Sequence, residues 1–459
     1  MPAESNLLQA FETRLQAKGL LARTQRTLVA YSGGADSTCL LHMLHRLGFP
    51  IIAAHLHHGM RHEAEDEALA CEKFCDSLAV PFILGRANVP AFAKERKIGI
   101  EEAGREARYE FLEHAAAESG CEKIATAHTK TDLAETVFLN MARGSGLAGL
   151  AGVPERRGPI VRPMLGITRD QARAYCQKQN LWFHDDPANQ DLTLARVRAR
   201  THLLPAFLAL HEGALENLAR LAETAATENE FLDSAAAAAL ERCEMRPNGP
   251  LECIAEQFEV ILDRNLLTHL PPVLLARGIR LAFQALGVSL DYRQTEAVLK
   301  GERGAVTAEQ AQAVAEWDPE RLVIRLTEPP NLQPSTLSIP GKIEQPALGW
   351  RIAATQQDAD QESPLVAFLD PNAIHGPLQL AMPKQGAKIQ TDPTQSPKRL
   401  ADLFSAKGLS KTARSLLPVL SDDQGPIWVP AVAQAARTRV KTHKRAVRIE
   451  LQPCRPTKP

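Results

Sequence analysis

Apolar and polar positions alternate along the first third of the chain in a way that predicts repeated strand–helix units. Between Thr27 and about Gly158, four short apolar runs each precede a segment in which apolar residues recur at helical spacing. Such units predict a parallel sheet with helices on both faces. Ligands bind these sheets at the carboxyl ends of the strands, so we expect functional residues directly after each run. The runs are TLVAYS, IIAAHLHHG, PFILGRANV and EKIATAHT.

The rest of the chain predicts two further regions. From about Glu212 to Glu241 the pattern is helical and rich in alanine, which predicts a connecting helix followed by a mostly helical domain. Prolines at 329, 330, 334 and 340 mark a linker, beyond which short strands, turns and a basic helix follow. We therefore expect an α/β domain over 1–211, a linker helix and helical domain over 212–328, and a small α+β domain over 329–459.

The N-terminal segment has the pattern of an amphipathic helix rather than of a secretory signal. Leu7, Phe11 and Leu15 share one face, and the acidic Glu12 interrupts the apolar character of the segment. No apolar run is long enough to span a bilayer. These patterns predict a cytoplasmic protein with no membrane partner.

Charge and cysteine content exclude some classes of protein. The 53 basic residues balance 54 acidic ones, which argues against a globally basic nucleic-acid binder and leaves room for local basic patches. The eight cysteines include no CxxC pair, so an iron–sulfur or dithiol redox site is not expected. Cys71 and Cys75 lie one helical turn apart, and we interpret them as buried thiols rather than as a metal pair.

A small-residue loop between the first strand and its helix has the layout of a phosphate-binding turn. Glycines allow backbone N–H groups to approach an anion, serines add hydroxyl donors, and the following helix presents its positive N-terminus. The alternative is a plain turn in which Asp36 or Ser37 caps the helix. Asp36 would repel a phosphate unless a divalent cation bridged the two, which suggests Mg²⁺. The loop comprises Ser32, Gly33, Gly34, Ala35, Asp36 and Ser37.

Two motifs carry a resemblance to known families. SGGADS resembles the SGGxDS loop of the PP-loop ATP pyrophosphatases, which cleave ATP between its α and β phosphates and transfer AMP. HGMR, which follows the second strand, is similar to the HGLR segment of a narrower group, the tRNA(Ile)-lysidine synthetases. The resemblance implies a PP-loop first domain that binds ATP and Mg²⁺ at 32–37, with Asp36 as the metal ligand and His58 and Arg61 also in the nucleotide site.

The resemblance also implies a reaction and its partners. The lysidine synthetases adenylate the 2-oxygen of the wobble cytidine in an isoleucine tRNA with a CAU anticodon. Free L-lysine then displaces AMP. The expected partners are this tRNA and L-lysine, and the two later domains are expected to bind tRNA. A homodimer is left open.

GREARYEFL resembles the RxARY stretch of the family through Arg105, Arg108 and Tyr109. Arg108 is placed to bind a phosphate of the nucleotide through two parallel hydrogen bonds. A structural ion pair with a glutamate one helical turn away is an equally good interpretation, and both stay open.

ATAHTKTDLAETVF resembles the family pattern AHHxDDQxET, with Thr131 and Leu133 in place of the first aspartate and the glutamine. Asp132 and Glu135 are three residues apart and share a helical face. Two carboxylates suit an ammonium group, and the resemblance implies that they bind lysine. The alternative is that they form a capping box at a helix start.

The segment ending HDDPANQDLTLARVRARTHLLP resembles a further family stretch, in which Val197 replaces an asparagine. Arg196 and Arg200 are expected to hold the transition-state phosphate or the RNA backbone. The alternative is a solvated helix face with aspartate partners.

Near the C-terminus, SPKRLADLFSAKGLSKTARSLLPVL resembles the last family segment. We expect Lys398, Arg399 and Arg414 to contact tRNA, supported by the basic tail from Arg437 onwards. The alternative is that these charges only keep the domain soluble.

Three rival functions remain at this point. A tRNA thiolase of the same fold would need a cysteine pair near the loop, which the chain lacks. A small-molecule amidating ligase would not need the extra domains, and a non-catalytic nucleotide-binding regulator would release no pyrophosphate.

Overall fold

The computed structural model describes residues 2–57, 64–185, 191–245, 258–301, 304–307, 312–327, 332–361, 363–407, 409, 411–440 and 444–454. The chain divides into two compact units, Met1–Glu230 and Phe231–Pro459. The first unit contains the α/β region and residues 212–230 of the middle region, and the second contains the rest of the middle region and the C-terminal region.

A six-stranded sheet forms the centre of the first unit, in the order β3-β2-β1-β4-β6-β5. All neighbouring pairs are parallel except β5 with β6, which is antiparallel. Four of these strands are the predicted apolar runs, so the predicted parallel sheet is confirmed. The strands are β1 (Thr27–Ala30), β2 (Ile51–His57), β3 (Phe82–Arg86), β4 (Lys123–Ala125), β5 (Arg156–Arg157) and β6 (Ile160–Val161).

Successive residues of β1 enter two separate cores, because side chains alternate between the faces of a sheet. Val29 packs in one core with α2 residues such as Leu40 and Leu44, whereas Leu28 packs in the other with Leu112 of α5. Helices therefore cover both faces of the sheet, as predicted. The helices are α1 (Pro2–Lys18), α2 (Ala35–Arg46), α3 (Ala64–Ser77), α4 (Val89–Arg96), α5 (Ile100–Glu118), α6 (Lys130–Ala142), α7 (Leu147–Leu150), α8 (Arg169–Lys178), α9 (Ala195–Arg198), α10 (Leu204–Leu208) and α11 (Ala214–Cys243).

Helix α1 confirms the predicted amphipathic segment, since Phe11 and Leu15 are buried against the sheet domain. Within the described residues, no helix is both long and apolar enough to cross a membrane. Helix α11 confirms the alanine-rich prediction and extends over 30 residues.

The middle region carries the expected helices and, in addition, a four-stranded antiparallel sheet in the order β7-β10-β9-β8. Leu322 and Ile324 alternate on one face of β10 and pack with Phe283 of a helix. The elements are β7 (Glu259–Asp263), α12 (Arg264–Thr268), α13 (Pro272–Ala285), α14 (Tyr292–Leu299), β8 (Gly304–Thr307), β9 (Gln312–Trp317) and β10 (Arg321–Leu326).

The C-terminal region consists of two larger sheets and a short ribbon around one core, which contains Trp350, Leu420 and Val447. The sheet orders are β11-β15-β18-β19-β20 and β12-β13-β21-β14, with β16-β17 as the ribbon. Two short helices complete the expected α+β composition. The elements are β11 (Ser335–Leu337), β12 (Gly341–Gln345), β13 (Trp350–Asp358), β14 (Val366–Leu369), β15 (Leu378–Ala381), β16 (Lys388–Ile389), β17 (Lys398–Arg399), α15 (Leu400–Ala406), α16 (Lys411–Leu416), β18 (Val419–Asp422), β19 (Gly425–Val429), β20 (Ala433–Gln434) and β21 (Arg445–Pro453).

Candidate active site

A cavity of about 430 Å³ opens at the carboxyl ends of β1, β2 and β4, where a parallel sheet is expected to bind its ligand. Its floor is apolar, with Ala30, Ala54 and Leu112, and its walls carry charged and hydroxyl groups. Several residues predicted from the sequence line it together. They are Ser32, Asp36, Ser37, Arg108, Asp132 and Arg196.

The loop between β1 and α2 is shaped by a glycine that no other residue can replace without strain. Gly33 has a φ of +81°, and a Cβ at this position would lie 2.8 Å from the Cys71 sulfur and 2.9 Å from Nδ1 of His184. The backbone of the loop is also held from His184, whose N–H donates to the Gly33 carbonyl at 3.0 Å. The close approach fixes the loop at the cavity wall.

The N-terminus of α2 has no side-chain cap. Gly34 is the N-cap residue and supplies no side-chain hydrogen bond to the first turn, so the N–H groups of that turn have no capping side chain among the described residues. The alternative of a capping Asp36 or Ser37 is therefore wrong. The Ser37 hydroxyl donates to the Gly34 carbonyl at 3.0 Å and lies 3.1 Å from the Ser32 hydroxyl. This helix start is suited to an anion.

Asp36 is largely buried, with a side chain 16% exposed. Its Oδ2 accepts a hydrogen bond from Nε of Arg169 at 3.0 Å, and its Oδ1 is buried without a hydrogen-bond partner among the described residues. Burial raises the pKa of Asp36, while the positive charge of Arg169 opposes that rise. The carboxylate therefore has one oxygen available to a cation.

Arg169 is a site residue that sequence reasoning did not select. It lines the cavity at the first turn of α8, and its backbone N–H donates to the Thr131 hydroxyl at 3.2 Å. Thr131, which departs from the family pattern, thus positions the arginine through its backbone. The signal that could have found it is the resemblance of VRPMLGITRDQARAYC to a family segment through Arg162, Pro163 and Arg169. Charge alone does not distinguish Arg169 from the other arginine of this helix.

Asp132 takes part in a helix cap, although not in the one predicted. Thr129 is the N-cap of α6, and Oδ2 of Asp132 accepts hydrogen bonds from the Thr129 backbone N–H and hydroxyl, each at 2.7 Å. The alternative of a capping box between Asp132 and Glu135 is therefore wrong, because the N-cap of the helix lies three residues earlier, at Thr129. The cap fixes Asp132 at the cavity wall.

Glu135 lies in the interior of α6 and is 1% exposed. Neither of its carboxylate oxygens accepts a hydrogen bond from a described residue. Burial, together with the negative charge of Asp132, raises the pKa of Glu135 to about 7. A buried carboxylate without a hydrogen bond is costly to the fold, which points to a role in binding.

Arg196 and Arg200 both approach Glu135, at 3.6 Å and 3.8 Å. These separations exceed hydrogen-bond length. The two guanidinium groups therefore stabilise the buried carboxylate through charge but do not hydrogen-bond to it. Arg196 also donates to the Thr136 hydroxyl at 3.2 Å and lines the cavity. Among the described residues, both guanidinium groups have a buried glutamate as their carboxylate neighbour.

Arg108 lines the cavity, and no carboxylate among the described residues lies within ion-pair distance of it. The alternative of a structural pair with a glutamate is therefore not found in this part of the chain. Loss of contact with water lowers the pKa of the Arg108 guanidinium, and the positive charges of Arg105 and Arg196 lower it further. Its charge faces the cavity and is available to a phosphate.

Histidines form a second wall that sequence reasoning missed. His55, His57 and His184 line the cavity with Glu67, and Nε2 of His184 lies 3.7 Å from that carboxylate. The sequence alone does not show that these histidines lie together, because His55 and His57 belong to β2 and His184 belongs to a loop more than a hundred residues later. The predicted His58 and Arg61 lie outside the described residues.

The predicted RNA contacts of the C-terminal region differ in their surroundings. Lys398 and Arg399 are exposed on β17, whereas Arg414 is half-buried and donates from Nε to the Leu409 carbonyl at 2.9 Å. Arg437, counted with the basic tail, binds both oxygens of the buried Asp422. Its charge is neutralised within the fold.

Known proteins are similar to this chain over its first domain and over most of its length. A PP-loop domain family, ATP_bind_3, matches residues 3–207. A tRNA(Ile)-lysidine synthase from Symbiobacterium thermophilum is 30% identical over 469 residues, with 95% of each chain covered. Its counterpart from Caldanaerobacter subterraneus is 26% identical, with 93% of each chain covered. A crystal structure of a TILS C-terminal domain matches at 19% identity and a TM-score of 0.24, covering 26% of this chain and 98% of its own.

The fold and the loop at its strand ends define a PP-loop enzyme that uses ATP. The similarity to the Symbiobacterium relative extends far beyond that domain and covers nearly the whole of both chains. The chain belongs to the tRNA(Ile)-lysidine synthase family, and it is an ATP-dependent ligase.

Proposed function

We propose that this protein joins free L-lysine to the wobble cytidine of an isoleucine tRNA with a CAU anticodon. The reaction proceeds in two steps. The cytosine 2-oxygen attacks the α-phosphorus of ATP and pyrophosphate leaves. The lysine amine then attacks C2 of the cytosine, the C2–O bond breaks, and AMP leaves.

One observation supports this proposal above the others. A single region of the structure combines an uncapped helix start beside Asp36 with a buried, incompletely paired Glu135. The first feature suits a polyphosphate and the second suits an ammonium group. A ligase that joins an amine to an adenylated substrate needs both.

The residues fit a magnesium ion held jointly with ATP. Oδ1 of Asp36 is buried without a hydrogen bond among the described residues, and that part of the chain contains no cluster of three metal-binding side chains. Mg²⁺ is commonly bound by one or two carboxylates and by substrate phosphates, so a protein cage is not required. When bound, the ion supplies neutralisation of the phosphate charge.

The loop residues would hold the triphosphate from the protein side. Gly33, Gly34 and Ala35 offer backbone groups, and the Ser32 and Ser37 hydroxyls lie side by side at the same place. Arg108 and Arg196 would stabilise the charge that develops at the α-phosphate. Catalysis would then consist of positioning and electrostatic stabilisation.

Asp132 and Glu135 would bind an ammonium group of lysine. The Thr129 cap fixes the Asp132 side chain, and burial fixes that of Glu135. Both carboxylates are therefore already in place before the substrate binds. Arg196 and Arg200 keep part of the Glu135 charge compensated until then. For tRNA, we propose contacts through the regions 212–328 and 329–459, with Lys398, Arg399 and Arg414 among them.

The thiolase alternative is disfavoured by the chemistry of the thiols near the loop. Cys71 and Cys75 are both fully buried, as expected from the sequence, and burial raises the pKa of each thiol to about 12. A thiol in this state forms little of the thiolate that sulfur transfer requires.

The test is incorporation of labelled lysine into a transcript of the isoleucine tRNA, with ATP and Mg²⁺ supplied. We expect one lysine per tRNA, with equal amounts of AMP and pyrophosphate. A transcript with uridine at the wobble position is the matched control, and Asp36→Ala should abolish release of pyrophosphate. Pyrophosphate release without lysine incorporation would exclude the proposed ligation.

A further inference from the structure

Two arginines lie over the ring of one tyrosine beside the cavity, in an arrangement that binding of ATP and lysine does not explain. The guanidinium carbon of Arg105 lies 5.8 Å from the ring centre of Tyr109, and that of Arg157 lies 5.5 Å from the same ring. Arg108 is the immediate neighbour of Tyr109 on α5. The first two arginines come from different elements, α5 and β5, so the cluster is built by the tertiary fold.

The positive charge of this cluster is not neutralised by the described part of the protein. Within that part, neither Arg105 nor Arg157 has an ion pair with a carboxylate, although both are exposed. Arg96 offers a contrast in the same domain. It lies 5.0 Å from the ring centre of Phe92 and is paired with Glu110 at 3.1 Å. An uncompensated group of arginines favours an anionic partner.

The position of the cluster separates it from the nucleotide site. Arg108 and Tyr109 line the cavity, whereas Arg105 and Arg157 are not among the described residues that line it. The tyrosine thus connects the cavity wall to cations at its rim. The ATP phosphates have their own partners at the loop from Ser32 to Ser37, so they do not account for charges outside the cavity.

We propose that Arg105, Tyr109 and Arg157 form a contact surface for the single-stranded RNA that carries the reacting base. The proposal rests on the proposed function, because a base that enters the cavity brings its flanking phosphates over the rim. Arginine binds RNA phosphates through paired hydrogen bonds, and an aromatic ring stacks bases without regard to sequence. The lowered pKa of Arg108 agrees with this accumulation of positive charge, since Arg105 contributes to it.

The test measures binding of the full chain to a short RNA hairpin whose loop contains the CAU anticodon, over a series of salt concentrations. For Arg105→Gln with Arg157→Gln, we expect weaker binding and a salt slope smaller by roughly 1.4, at roughly 0.7 for each phosphate that is no longer neutralised. Tyr109→Leu should weaken binding about fivefold or more, whereas Tyr109→Phe should bind like wild type because stacking needs only the ring. Thermal unfolding of each variant checks that the domain is folded.

The control is Arg96→Gln, which removes an exposed arginine that lies over a ring and has a carboxylate partner. It should leave the affinity and the slope for the hairpin unchanged. An unchanged slope in the double variant would overturn the proposal, and so would an equal loss in the control. A loss of ATP affinity with RNA binding intact would assign the cluster to the nucleotide instead. Lysine incorporation by wild type is measured separately, so failure of the proposed function is distinguishable.

Discussion

Nε of Arg169 donates a hydrogen bond to Oδ2 of Asp36 at 3.0 Å, and this contact joins the first turn of α8 to the first turn of α2. The two residues are 133 positions apart in the chain. The arginine supplies the positive charge that the buried carboxylate needs when no metal ion is present. It leaves the other oxygen, Oδ1, available to the cation that we propose for the reaction.

Arg169→Gln should destabilise the protein in the absence of ligands, because Asp36 would lose its charged partner while remaining buried. We expect the free energy of unfolding to fall by about 1–3 kcal/mol. Mg²⁺ with ATP should restore part of the loss, since the ion then compensates the carboxylate. Chemical unfolding with and without the ligands measures both effects.

Arg173→Gln is the matched control, because Arg173 belongs to the same helix and pairs with Asp185 at 2.6 Å. That pair is solvent-exposed, with side chains 43% and 60% accessible, so its removal should cost at most about 1 kcal/mol. Equal losses in the two variants would contradict the role proposed for Arg169.

Gly33 and Gly34 are adjacent, but the structure predicts a loss of stability on replacing the first and almost no change on replacing the second. Gly33→Ala places a Cβ at a φ of +81° and 2.8 Å from the Cys71 sulfur. The backbone strain alone should lower the free energy of unfolding by about 1–2 kcal/mol. Gly34→Ala meets its nearest atom, the Ser32 hydroxyl, at 3.7 Å, which is an ordinary contact. Its stability should stay within about 0.5 kcal/mol of wild type. Thermal unfolding decides this, and similar losses in both variants would contradict the loop geometry.

The sheet could be predicted from the sequence because its signals are local. Four strands of the first unit are short apolar runs, and the alternation of Leu28 and Val29 between two cores follows from strand geometry. The four-stranded sheet of the middle region could not be predicted as easily. Its β9 and β10 are six residues each and amphipathic, and they lie beside helices with a stronger periodic pattern.

The parts of the site that consist of a local motif could be predicted from the sequence, whereas the parts that depend on tertiary contacts could not. The loop around Asp36 follows directly from its residues and its place after a strand. The partnership of Asp36 with Arg169 depends on packing of α8 against α2, and no local pattern encodes it. The capping box of α6 uses Thr129 and Asp132 rather than Asp132 and Glu135, because both pairs have residue types that suit a box and only the folded helix shows where it begins.

Glu135 should make lysine binding and stability depend on pH in opposite directions. Its pKa is about 7 in the folded protein against an ordinary value of 4.5. Since the folded protein binds this proton more tightly, the stabilising contribution is present below pH 4.5 and is lost as the pH rises through about 7. The ammonium group of lysine prefers the ionised carboxylate, so lysine affinity should instead increase over the same range.

Glu135→Gln should remove both dependences, because an amide does not titrate. At about pH 8 we expect the variant to bind lysine about tenfold or more weakly, since a charged hydrogen bond contributes roughly 1.5–3 kcal/mol. Calorimetric titration with lysine and chemical unfolding across pH measure the two quantities. If wild type and variant showed the same pH profile for lysine, Glu135 would not contact the ammonium group.

The last prediction concerns the exposed pair Lys398 and Arg399 on β17. Arg399 lies opposite Lys388 in the two-stranded ribbon, so three basic residues are presented by one small element. The chain is near neutral overall, and affinity for RNA must therefore come from local groups of this kind. Replacing Lys398 and Arg399 by alanine should weaken binding of the full tRNA and reduce the salt slope by roughly 0.7–0.9 for each phosphate that is no longer neutralised.

ATP affinity should not change in this double variant, because every described residue that lines the cavity proposed for ATP belongs to the first unit. Lys342→Ala provides the control in the same region. Lys342 is exposed and is paired with Glu344 at 2.9 Å, so its charge is already compensated and its removal should leave the salt slope as it is. The alternative is that the basic ribbon only keeps the domain soluble. Identical affinities and slopes for the double variant and wild type would establish that alternative, whereas a reduced slope with unchanged ATP binding would identify the ribbon as an RNA contact.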